Sequence, residues 1–137
     1  MASKHQITGM TGVYLVAAEL SKRGYVATPT SRSAQAVDLL VADSDGQRSY
    51  AVQVKTNAVT FSFWLVGARA QQLRSRTLVY ALVNLRKTGA EFYLVPSRIV
   101  ARKTIVSKPS KTRKSVWYSV YREHVQRYRD NWAIFEK

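Results

Sequence analysis

Two short apolar runs joined by the turn Asp43-Ser44-Asp45-Gly46 constrain this chain more than any other feature. Residues 37–42 read Val-Asp-Leu-Leu-Val-Ala and residues 48–56 read Arg-Ser-Tyr-Ala-Val-Gln-Val-Lys-Thr. A Gly-containing turn between two such runs predicts an antiparallel hairpin, with Asp43 and Asp45 acting as turn formers. Strand side chains alternate faces, so Gln53 and Lys55 share one face while Val52 and Val54 share the other. Asp38 likewise opposes Val37 and Leu39. A carboxylate, an amide and an ammonium can therefore converge on one face of the ribbon, and an Asp amid aliphatic residues is costly unless it has a partner. The pattern outlines a divalent-cation site with a lysine beside it.

Charge points the same way. The 137 residues carry 22 Lys and Arg against 8 Asp and Glu, a formal net charge of +14. An excess of this size favours a polyanionic partner, nucleic acid ahead of a membrane surface. It is also uneven: residues 1–68 hold 6 basic and 4 acidic residues, and residues 69–137 hold 16 and 4. The second half is thus expected to grip the polyanion. With 46% hydrophobic residues the chain can bury a core, and one domain over 1–137 is expected. There is no cysteine, so disulfides and thiolate metal sites are excluded. Neither a signal-peptide pattern nor a run of ~20 apolar residues is visible, and a cytoplasmic protein without a membrane span is expected.

Apolar spacing at Val13, Val16, Ala17 and Leu20 predicts a helix over 8–23, capped by Thr8 or Thr11 and closed by Gly24. Strand 25–28, a polar loop over 30–35 and the hairpin follow. Further on, a short helix is predicted at 68–75, strands at 78–83 and 91–95, a helix at 97–102 capped by Ser97, a strand at 116–121 and a helix at 123–129. Residues 103–115 lack apolar periodicity and read as a basic loop, while Trp132–Phe135 reads as an apolar anchor. The fold class is α+β or α/β, with a mixed central sheet flanked by helices.

A helix, Gly24-Tyr25-Val26, an Asp-bearing strand and a Gln-x-Lys strand, in that order over 9–56, resemble the PD-(D/E)XK nuclease core. Tyr93-Leu94-Val95-Pro96-Ser97 is similar to the strand-to-helix exit of its resolvase-like members. The resemblance implies a Mg²⁺-dependent endonuclease acting on DNA, with Mn²⁺ as a substitute. Asp38 would be the metal carboxylate, Gln53 would occupy the position that most members fill with Asp or Glu, and the Val54 carbonyl would add an oxygen. Lys55 matches the lysine of the motif.

Many resolvase-like members also carry a Glu in the first helix, at a position held here by Val13. Glu19 is the only acid of that helix and is a further candidate, although Arg23 at i+4 offers it an ordinary surface pair. The alternative is a catalytically inactive nucleic-acid-binding member of the same fold. Arg102, Lys103, Lys108, Lys111, Arg113 and Lys114 are expected to contact the phosphate backbone. A homodimer is also expected, because one such site cuts one strand; Trp132 and Phe135, or residues 61–64, would form its contact.

Overall fold

The computed structural model describes residues 2–31 and 37–136; most of the polar segment expected at 30–35 therefore lies outside the described residues. A five-stranded mixed sheet forms the centre, in the order β1-β2-β3-β5-β6. Its strands are β1 (Val26–Pro29), β2 (Leu39–Ala42), β3 (Ser49–Asn57), β5 (Leu78–Leu85) and β6 (Ala90–Pro96). The pair β2–β3 is antiparallel, as the turn chemistry requires, and β3–β5 is the one parallel pair in this order. A second sheet has the order β4-β8-β7, from Phe63–Leu65, Trp117–Tyr121 and Ile105–Ser107. Strand β5 is buried at all but its last residue because both of its faces are covered.

Helix α1 (Lys4–Lys22) packs Val13, Val16 and Leu20 against Leu39, Val41, Val52, Val54 and Phe135 on one face of the central sheet. On the other face Tyr80, Leu82, Tyr93 and Val95 meet Trp64, Val120 and α2 (Ser97–Lys103) through Ile99 and Val100. Helix α1 begins earlier than the apolar spacing suggests. Ser3, not Thr8 or Thr11, is the cap, and it forms a reciprocal capping box with Gln6. The other end follows expectation. Gly24 takes φ 90° while the Gly24 and Tyr25 N–H groups bond Ser21 O and Leu20 O, a Schellman closure.

Gly12 sets how closely α1 approaches the sheet. A methyl group at this position would sit 2.9 Å from Thr56 Cβ and closer still to its hydroxyl. Gly12→Ala should therefore destabilise the fold by about 1–2 kcal/mol, the overpacking outweighing the gain in helix propensity. A denaturant midpoint equal to or above the wild type would refute this packing account.

Other boundaries need correction. Residues 68–75 form only a 3₁₀ turn at Ala68–Gln71, and 123–129 form two 3₁₀ turns, Arg122–His124 and Gln126–Tyr128. The expected loop 103–115 contains strand β7, whose short Ile-Val-Ser run is too brief to show a period. Ser97 does not cap α2. Its hydroxyl instead receives Ser75 N–H at 2.9 Å and donates to Ser75 O at 2.7 Å, and Pro96 precedes the helix. Trp132 and Phe135 are only 6% and 0% exposed and pack into the α1 side of the core. They anchor the C-terminal segment and cannot form the expected dimer contact.

Candidate active site on the central sheet

The register of β2 against β3 runs Leu39↔Val52, Leu40↔Ala51, Val41↔Tyr50. Leu39 and Val41 are buried towards α1, whereas Leu40 is exposed on the opposite face beside its register partner Ala51. By the same alternation Asp38, Gln53 and Lys55 belong to the face away from α1. The structure thus brings the three predicted polar residues to one side of the sheet.

Asp38 lies where regular pairing stops. Its N–H reaches Val52 O at 2.8 Å, one position off the ladder register, while its C=O accepts from Thr30 N at 3.0 Å on the β1 side. The regular acceptor for Val54 N–H would be the carbonyl of Val37, which Thr30 Oγ1 takes at 2.5 Å. Asp38 Oδ2 replaces it, accepting Val54 N–H at 2.7 Å. The partner demanded by an Asp in an apolar run is therefore a backbone amide, and the carboxylate is locked against β3. A carboxylate has two oxygens, so this bond leaves the group able to ligate. The N–H and C=O of a strand residue point to the same edge, so the Val54 carbonyl is aimed towards Asp38 as well.

Gln53 Oε1 is buried and has no hydrogen-bond partner among the described residues. Such an atom costs free energy unless something satisfies it. Its neighbour in the parallel register is Tyr80, fully buried, whose hydroxyl is also unpartnered among the described residues. Burial pushes the Tyr80 hydroxyl pKa up, and the charge of Arg69 opposes this. For Lys55, burial pulls the ammonium below the ordinary lysine range, and the negative charge of Asp38 works against that shift. Tyr80 was not legible as a neighbour of the Gln-x-Lys pair, since its placement depends on the parallel β3–β5 register rather than on a local pattern.

The donor set suits a hard divalent cation: one carboxylate, one amide oxygen with an unmet bonding requirement, and one peptide carbonyl. Mg²⁺ accepts such oxygens while retaining several waters. Among the described residues no cluster of three or more His, Cys, Asp or Glu side chains is poised for a metal, and of the three residues brought together here Asp38 is the carboxylate.

Other candidates lie apart. Glu19 is occupied by Lys22 at 3.0 Å and Arg23 at 3.5 Å on α1, and its pKa is lowered, first by the Lys22 hydrogen bond. It is not brought to Asp38, Gln53 and Lys55. Val13 is a core residue at 6% exposure. Asp43 serves the hairpin turn, where Oδ1 accepts Gln47 N–H at 2.8 Å and Arg48 N–H at 3.2 Å. Arg102, Lys108, Lys111 and Lys114 are exposed, and Lys103 is half-buried. Arg113 differs: its guanidinium donates to Ser115 O and Lys108 O and stacks 4.4 Å from the Trp117 ring centre, closing the loop on itself.

The mixed sheet and flanking helices form a fold shared with two solved structures. The chain is similar to the bacterial homing endonuclease I-Ssp6803I, with a TM-score of 0.61 and 18% identity over 98% of this chain and 91% of the other. It is also similar to Hjc, a Holliday junction resolvase from the archaeal hyperthermophile Archaeoglobus fulgidus, with a TM-score of 0.52 and 15% identity over 86% and 87%. No family model and no curated protein matches the sequence. Among the described residues no helix is long and apolar enough to cross a membrane.

Proposed function

We propose that this chain is a metal-dependent endonuclease that hydrolyses phosphodiester bonds in DNA. The observation that carries the reading is the buried Gln53 Oε1, without a hydrogen-bond partner among the described residues, on the same sheet face as Asp38 and Lys55. Asp38, Gln53 and the Val54 carbonyl would hold Mg²⁺ or Mn²⁺. Bound there, the cation supplies Lewis acidity at the phosphoryl oxygens and a more acidic water. The chain's own residues do the rest. The Val54 amide fixes the Asp38 carboxylate, Lys55 orients the attacking water and adds positive charge as the phosphate gains negative charge, and burial limits competing solvent. Of the similar structures named above, one is a homing endonuclease and the other a Holliday junction resolvase.

The test is Mg²⁺- or Mn²⁺-dependent cleavage of plasmid, branched and single-stranded DNA, with Lys55→Ala as the control. Cleavage by the wild type and not by the variant is expected; equal cleavage by both would reject the assignment. Double-strand cutting would require two protomers, so a chain that stays monomeric on DNA should nick only. A second reading, an inactive DNA-binding member of the fold, draws support from Val13 being a core residue where resolvase-like proteins carry an acid.

Phosphate contact by the loop has its own test. Replacing Lys108, Lys111 and Lys114 with Ala should lower the slope of log affinity against log salt by about 2–3 for duplex DNA, since each neutralised phosphate contributes about 0.9. Arg113 is left in place because it holds the loop together. An unchanged slope would show that these lysines do not touch the backbone.

A further inference from the structure

The second sheet turns one face inward and leaves the other partly exposed, with Phe63, Trp117 and Tyr121 half-buried and Ser119 buried among them. Trp64 and Val120 are fully buried, so their alternates Phe63 and Leu65 on β4, Trp117 and Tyr121 on β8, and Ile105 on β7 share the outer face. Phe63 is packed among Phe61 at 4.9 Å, Tyr121 at 5.4 Å and Trp117 at 6.0 Å between ring centres. Phe61, Leu65 and Ile105 are 46%, 47% and 40% exposed. Aromatic rings left at the surface beside a cationic loop differ from a solvated face and from an ordinary core. They resemble the combination that holds unpaired nucleotides: rings and guanidinium planes for the bases, ammonium groups for the phosphates.

Charge selects the occupant. Between Glu91 and Glu123 there are eight Lys or Arg residues and no acid. The loop joining β7 to β8 carries Lys108, Lys111 and Lys114 in the exposed state, and Arg113 lies over Trp117. An apolar protein surface would meet these cations without compensation, whereas a strand of nucleic acid brings a phosphate for each base.

The platform is fixed relative to the candidate active site. Asn57, at the end of β3, donates to Phe63 O at 2.8 Å and to Asn84 Oδ1 at 2.9 Å, and Asn84 donates to Phe61 O at 3.0 Å. Asn57 lies two residues beyond Lys55, about 7 Å along the strand. We propose that the outer face of the β4-β8-β7 sheet stacks the bases of single-stranded DNA whose phosphates lie along the Lys108–Lys114 loop. This deepens the nuclease reading and rests on it for the biological substrate: the favoured DNA would carry an unpaired stretch on the same side of the molecule as the β3 end.

Binding is measured without metal, in EDTA, so that no cleavage occurs and failure of the nuclease reading is scored separately by the cleavage assay. Trp64 and Trp132 are buried, so quenching of tryptophan fluorescence by a ten-nucleotide oligothymidine should report Trp117. Trp117→Phe should abolish the quenching while binding within about threefold of wild type. Phe61→Ala and Trp117→Ala should each weaken oligothymidine binding roughly tenfold, the scale of one lost base stack, with the salt slope unchanged and duplex affinity altered less than twofold. If Trp117→Ala does not fold, the Trp117→Phe quench and Phe61→Ala decide. The proposal is overturned by bound oligothymidine that leaves wild-type fluorescence unquenched, by equal losses on duplex and single strand, or by self-association through this face that oligothymidine does not displace.

Discussion

Glu91→Ala should cost this protein about 3 kcal/mol of folding stability, with a melting temperature lower by roughly 10 °C. The Glu91 side chain is fully buried in β6, where an acid would ordinarily be avoided. Its Oε1 accepts Asn84 Nδ2 at 2.7 Å and faces Arg122 Nε at 3.0 Å; its Oε2 lies 2.6 Å from Arg86 and 3.8 Å from Arg129. Arg122 also donates to the Tyr93 hydroxyl at 2.9 Å. One carboxylate therefore joins β5, β6 and the 3₁₀ segment that follows β8. Removing it leaves cations facing one another without a counter-charge, although their partial exposure keeps the loss near the lower end for broken buried pairs.

Burial raises the Glu91 pKa, but the hydrogen bonds from Asn84 and Arg86 and the charges of Arg122 and Arg86 outweigh it, so the net shift is downward. A depressed folded-state pKa gives stability that is present above the unfolded carboxylate value of about 4.3 and lost as pH falls through the folded value. Wild type and Glu91→Gln should accordingly differ in unfolding free energy at neutral pH and converge in acid. A pH-independent difference would mean that the charge of Glu91 contributes nothing.

Asp38→Ala should abolish metal-dependent cleavage, because it removes the carboxylate of the Asp38-Gln53-Lys55 set and the acceptor of Val54 N–H together. Asp38→Asn separates the two roles. Its amide oxygen can still receive the Val54 N–H, so the fold should be retained while cation affinity falls. Lys55→Ala should slow cleavage by a factor of about 10² or more while leaving DNA binding within a few fold, since binding is spread over many cations. Parallel measurement of cleavage rate and DNA affinity decides: a Lys55→Ala protein that loses binding in proportion to rate would make Lys55 a phosphate contact only.

The hairpin, its antiparallel pairing and the shared face of Asp38, Gln53 and Lys55 were legible because period-two alternation and an Asp-Gly turn are local signals. What Asp38 does on that face was not. Its bond to Val54 N–H follows from a one-residue departure from register, which no pattern of residue types announces. Nor could Glu91 be read as the centre of an ion network, since Arg122 and Arg129 lie more than thirty residues further along the chain. Trp132 and Phe135 looked like a surface anchor for a partner; the fold uses them internally, with Phe135 against Tyr25 and Tyr50. Short elements misled for a further reason. A three-residue strand such as β7 has no period to detect, and its existence depends on β8 arriving beside it.

The most direct measurement is a Mg²⁺ titration of DNA cleavage by the wild type and Gln53→Glu, side by side. A second carboxylate where the buried Gln53 Oε1 has no partner among the described residues should draw the cation more strongly. Metal-dependent cleavage is expected of the wild type, and of Gln53→Glu at a lower half-saturating Mg²⁺ concentration with an equal or higher rate. Absence of metal-dependent cleavage of every DNA form by both proteins would contradict the nuclease reading, and leave DNA binding as the function of this fold.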